Sequence, residues 1–311
     1  MGDGPLHRAA RPAEPSRWYV RGLLKLLILA AVTFVVLFPN PAQFVRQLRH
    51  LSNLQAMIDP KAPQLAKWEA EFRQRLAHMQ QPPAQYPISL RPLGPRDVQQ
   101  ALQQFVYQKV KYDWDWNVWG SADYMPTVEE MFAQAARAPD GQMREDCDGR
   151  AVMAASLLRR LGYQSKIVTD LRHVWVTTPE GEWMGPGRKK SIVSGVGGNR
   201  TAIVATLGNV PVALSYGVAV FPLWRELIIL ATAFLLTLRR QMPWQALVLG
   251  AVLILEGLLF MRLGSLAPRG LPGQVSAWPA WVGLAHLAAG FGVLLMFSFR
   301  ARSAYALAHR I

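Results

Sequence analysis

The chain has 311 residues, 51% of them apolar, a formal net charge of +14 and a single cysteine. That length holds a soluble domain of ordinary size together with membrane segments, and one cysteine excludes an intramolecular disulfide. The charge does not point to nucleic acid. It divides into +3 over residues 1–39, +5 over 40–212 and +6 over 213–311, so most of it flanks apolar runs, and no recognition motif or basic stripe with interleaved aromatics accompanies it.

Residues 1–21 are rich in Pro, Gly, Ala and Arg and are expected to be a disordered tail. The apolar run from Gly22 to Phe38 is interrupted only by Lys25. At about 1.5 Å per residue it spans roughly 26 Å, enough for a transmembrane anchor. It ends in Pro-Asn-Pro with no small-x-small site, which favours an uncleaved anchor over a signal peptide. Two helices then follow in 41–80, FVRQLRHLSNLQAM and LAKWEAEFRQRLAHM, each with apolar residues three and four apart and with Pro60 and Pro63 between them. They are expected to form a helical stalk over 41–80 that binds a partner, the alternatives being that they pack on the domain or lie near the membrane.

A PPAQYP linker leads to a domain expected over 88–212. Its first helix is predicted over Asp97 to Lys111. Next comes YDWDWNVWGSADYMP, which crowds Tyr112, Trp114, Trp116, Trp119 and Tyr124 into one loop, either as a substrate wall (with Trp175 further on) or as a cover for the core. Thr127 and Glu130 have the spacing of a capping box and start a helix ending near Arg137.

Cys147 opens the next helix. Ala151, Val152, Ala154, Ala155, Leu157, Leu158 and Leu161 recur at helical spacing, and Gly162 stops the run. A thiol at a helix start lies among unsatisfied N–H groups, which favour thiolate. YQSKIVT and HVWVTT read as strands, so His173 opens a strand 26 residues beyond the cysteine. A cysteine on a helix start with a histidine on a nearby strand suits covalent acyl transfer. A buried apolar cysteine with a strand-capping histidine is the bland alternative.

From about Val98 to Val176 the chain resembles the transglutaminase-like (papain-like) superfamily of bacterial cysteine peptidases and amidases. The resemblance rests, in order, on KVKY, PTVEEMF, DCDGRAVMAASLLRRLGY and HVWV. It implies an α+β fold with a helix-start cysteine packed on an antiparallel sheet, Cys147 as nucleophile and His173 as base. The family's third member, an Asp between a Trp and a Pro on the next strand, is missing. EGEWMGPG supplies Trp183 and Pro186, but Gly185 or a neighbour stands at the Asp position. Asp170 and Glu182 are the nearest substitutes, and a backbone carbonyl or an amide can also orient the imidazole.

Glu180 and Gly181 belong to a hairpin turn, and RKKSIVSGVGGNRTAIVAT reads as two strands around a glycine-rich turn. Three further spans are expected within 222–299, giving about four transmembrane helices, before a short tail over 300–311. The basic residues flanking the spans put both termini and the Arg239 loop inside and the domain outside, in the periplasm of a two-membrane bacterium. Arg225, Glu226, Glu256 and His286 fall at similar depth and are expected to form one intramembrane polar cluster.

The chain therefore reads as a multi-pass inner-membrane cysteine enzyme acting on amide or peptide bonds, with the lipid bilayer and a peptide or protein substrate as partners. The alternatives are a degenerate module that binds a peptide or envelope partner, and an assembly factor for another membrane protein. One cysteine and six scattered histidines offer no familiar metal set, so no metal or other cofactor is expected.

Overall fold

The computed structural model describes residues 18–80, 92–169, 173–185, 214, 217–265 and 278–308. The glycine-rich double strand expected after residue 187, the 81–91 linker and Asp170 lie outside the described residues.

Helix α1 spans Trp18–Leu37. After it, Asn40 caps α2 (Pro41–Ser52) by accepting from the Ala42 and Gln43 amides, with proline at the first helical position, where its missing N–H costs nothing. A short 3-10 turn, Leu54–Met57, leads to α3 (Leu65–Met79). This segment packs on the domain, one of the alternatives for the expected stalk. Leu54, Met57, Leu65, Trp68 and Phe72 enter the same core as Leu102, Val106, Met153, Leu157 and Ile167, and Arg160 reaches from a later helix to pair with Glu69 at 2.6 Å. Removing a side chain as fully buried as Phe72 (0% exposed) is a loss of about 3–5 kcal/mol.

The remainder of the domain comprises α4 (Pro95–Lys109), β1 (Val110–Tyr112), α5 (Asp115–Val118), α6 (Val128–Arg137), β2 (Met143–Glu145), α7 (Cys147–Arg160), β3 (Lys166–Thr169), β4 (Val174–Thr178) and β5 (Gly181–Trp183). The capping box at α6 is formed, with Thr127 Oγ1 accepting from the Glu130 amide and Glu130 accepting from the Thr127 amide. Strands β1 and β2 pair in parallel, while β3, β4 and β5 form an antiparallel sheet in chain order. Helix α7 is buried along most of its length because its small residues let it lie against both the sheet and α4. This is an α+β fold built around one central helix.

Among the described residues, three helices are long and apolar enough to cross a membrane: Tyr19–Leu37, Trp244–Leu263 and Trp278–Phe299. The fourth expected span is shorter. Helix α8, Leu223–Thr237, has 15 residues and reaches only about 22 Å, against a hydrocarbon thickness of about 30 Å. It lies beside α1, and Lys25 on α1 donates to the Leu236 carbonyl near its end. Helices α9 (Trp244–Ser265) and α10 (Trp278–Ala308) pack most closely. A Cβ at Gly257 would come within 2.8 Å of the Gly283 carbonyl oxygen, so their backbones touch where only glycine fits.

The domain sits on one end of this bundle. The Ala122 amide donates to Leu37 O at 2.8 Å, Arg225 donates to Gly120 O at 3.1 Å, and Trp116 meets Phe221 edge to face at 5.7 Å. Arg21, Lys25 and Arg239 gather at the opposite end.

Candidate active site

Cys147 is the first residue of α7, half-buried, with Asp146 as the N-cap. The Asp146 carboxylate accepts from the Asp148 amide at 3.1 Å, which takes up one of the free donors of the helix start. Across the gap to the sheet, the Val174 backbone favours the Cys147 thiolate, and His173 is the residue immediately before it. Helix α7 and strand β4 are packed against each other.

The imidazole is oriented by backbone. His173 Nε2 lies 2.7 Å from the Met184 carbonyl oxygen. A carbonyl only accepts, so Nε2 carries the proton. The ring also stacks on the fully buried Trp175 at 6.1 Å and 14°. Met184 has a φ of 62°, an uncommon conformation for a residue with a side chain, and the Gln103 side chain fixes it by accepting its amide at 3.0 Å. Gly185 follows. A Cβ there would stand 3.2 Å from Trp175 Cδ1, so the indole takes the space of a side chain at the position where the resemblance expects Asp. Glu182 is exposed on β5 and does not substitute for it.

The electrostatics differ from the expectation for a helix-start thiol. Burial first, then the Asp146 carboxylate, push the Cys147 thiol well above its ordinary value, and only the Val174 backbone pulls it down. Asp115 adds a smaller push in the same direction. Asp115 from the aromatic loop, Glu145 from β2, Asp146 and Asp148 place carboxylate oxygens within 4.8 Å of one another beside the cysteine. Burial, and then Asp146, hold Asp115, Glu145 and Asp148 well above the ordinary carboxyl range. Carboxylates this close disfavour one another's ionised form, and together they can hold a hard divalent cation. The sequence carried one partial signal, the acidic run Glu145-Asp146-x-Asp148, but Asp115 lies 30 residues earlier, and only the β1–β2 pairing folds it in.

The expected aromatic wall is divided. Tyr124 is buried and donates its hydroxyl to Glu130 at 2.6 Å, and Trp119 donates its indole N–H to Glu145 at 2.7 Å. Trp114 stacks on Trp116, which in turn packs against the membrane bundle. Trp175 is core, not wall.

The intramembrane cluster also separates. Glu256 and His286 are 3.9 Å apart, whereas Glu226 pairs at 2.6 Å with Arg262, a partner absent from the sequence expectation. Arg225 turns away to the domain and lies over the Phe221 and Trp224 rings. Four residues at similar depth on different helix faces thus make three separate arrangements.

No protein-family model, no curated protein and no solved structure matches this chain.

Proposed function

We propose that this protein is a membrane-anchored, transglutaminase-like cysteine enzyme that acts on amide or peptide bonds outside the cytoplasm. The observation that carries the proposal is the packing of the Cys147 helix against β4, whose first residue follows a His173 with Nε2 fixed by the Met184 carbonyl. The apolar helices support a multi-pass membrane protein, and the basic residues at the end of the bundle away from the domain support a cytoplasmic location for that end.

The thiol is held protonated at rest, so proton removal accompanies attack. Nδ1 of His173 accepts the thiol proton as Sγ bonds to the carbonyl carbon. The C–N bond then breaks, and the imidazolium returns the proton to the leaving amine. Water attacks the resulting thioester, giving a proton to the imidazole and releasing a carboxylic acid and the thiol. The Met184 carbonyl keeps the productive tautomer throughout, the orienting role of a triad carboxylate, with a weaker hold on the imidazolium because it carries no charge.

A degenerate module that only binds a peptide or envelope partner is favoured by the raised thiol and the missing carboxylate. One experiment separates the two. The full-length protein in detergent is mixed with an activated ester, and the acyl adduct on Cys147 is followed by intact mass. An enzyme acylates and turns over, and His173→Ala slows both by about 10²–10⁴-fold, the usual contribution of a general base. Acylation no faster than that of a free thiol, unchanged in His173→Ala, overturns the enzymatic proposal.

A further inference from the structure

At the end of the membrane bundle away from the domain, α1, α8 and α10 enclose a cavity of about 710 Å³. Its lining has two halves. Arg21, Lys25 and Arg239 bring three cations to one side, while Leu26, Leu29, Leu236, Phe291, Leu295 and Phe299 supply a continuous apolar wall. Among the described residues no carboxylate lines it and none of the three cations forms an ion pair. Two of them are held in place by other means: Lys25 donates to the Leu236 carbonyl, and Arg239 donates to Ser298 Oγ at 2.7 Å.

Cations this close together near a bilayer repel one another and need an anion. The anion must also carry a long apolar part, because the rest of the cavity is hydrocarbon-lined and α1 presents an exposed apolar surface (Leu26 66% and Leu27 57% exposed). We propose that this cavity binds an anionic glycerophospholipid, with the phosphodiester on Lys25, Arg239 and Arg21 and an acyl chain against Leu26, Leu29, Phe291 and Leu295. The lipid would join α1, which is distant in sequence from the other membrane helices, to α8 and α10, and so fasten the two halves of the bundle on either side of the domain. The proposal is independent of the Cys147 chemistry.

The test is native mass spectrometry and thermal unfolding of the full-length protein in detergent, titrated with phosphatidylglycerol, phosphatidylcholine or inorganic phosphate. Phosphatidylglycerol is expected to give a retained one-to-one adduct and a higher Tm, while phosphatidylcholine and phosphate do neither. Lys25→Gln and Arg239→Gln are each expected to weaken binding about fivefold, the effect of removing one basic residue near an anionic lipid surface. Arg240→Gln, an exposed residue that does not line the cavity, is expected to leave affinity unchanged. Leu29→Trp, which fills the apolar half without altering charge, is expected to abolish the retained adduct. Equal responses to the two lipids, an equal loss in Arg240→Gln, or full binding by Leu29→Trp would each overturn the proposal.

Discussion

The Met184 carbonyl oxygen lies 2.7 Å from His173 Nε2, so a main-chain group orients the imidazole. The carbonyl points there because Met184 adopts a φ of 62° and because Gln103 accepts the same residue's amide. The orienting element is therefore Gln103 on α4, acting through the backbone of Met184. Gln103→Ala is expected to slow acylation of Cys147 about tenfold or more while lowering stability by only about 1 kcal/mol, the net value of one hydrogen bond. Acylation rates and thermal unfolding of the same sample check this, and rescue by Gln103→Glu would not occur, since a carboxylate accepts the amide but adds charge beside the imidazole.

Gly149 permits the acidic cluster to form. A Cβ at that position would stand 2.5 Å from Glu145 Oε2, and Glu145 is fully buried on β2, so the carboxylate cannot move into solvent. Gly149→Ala is expected to destabilise the domain by about 1–3 kcal/mol through overpacking. Shortening the obstructing side chain should return part of the loss, so Glu145→Ala combined with Gly149→Ala is expected to be less destabilised than the sum of the single variants in denaturant unfolding.

The raised carboxyls make stability fall with pH. Unfolded Asp and Glu titrate near 4, whereas Asp115, Glu145 and Asp148 titrate well above that in the fold. Between the two values the native state binds more protons than the unfolded chain, so acidification from pH 8 toward about 5 is expected to raise Tm. Glu145→Gln is expected to flatten that dependence. If Ca²⁺ occupies the cluster instead, the sign reverses: Tm rises with Ca²⁺ at pH 8, falls on chelation, and drops on acidification.

Two ion pairs in the bundle should differ sharply in weight. Glu226 is 7% exposed and 2.6 Å from Arg262, whereas the Glu256 side chain is 50% exposed and 3.9 Å from His286. Arg262→Gln leaves a buried carboxylate without its cation and is expected to cost about 3–5 kcal/mol, visible as a large loss of Tm in detergent. Glu226→Gln added to it is expected to restore part of the loss. Glu256→Gln is expected to change Tm little.

Local patterns in the sequence determined the elements that carry the chemistry. The helix from Cys147, the capping box at Thr127, the strand that begins after His173 and the hairpin around Glu180 follow from periodicity, capping residues and turn chemistry, which act over a few residues. Whether those elements meet is a tertiary matter. The β1–β2 pairing brought Asp115 to Glu145, and the burial of the helix start, with Asp146 next to it, raised a thiol that an exposed helix start would have lowered.

The same division holds in the membrane. Hydropathy located the spans, and it overcounted one of them because α8 leaves helical geometry after Thr237. Depth along a helix can be counted from the sequence, but the face a side chain occupies cannot be fixed without its neighbours. Arg225, Glu226, Glu256 and His286 therefore looked like one cluster in sequence and became three separate contacts in the bundle. Helical phase, strand pairing and the one open path for a carbonyl decide such encounters, and all three depend on residues far apart in the chain.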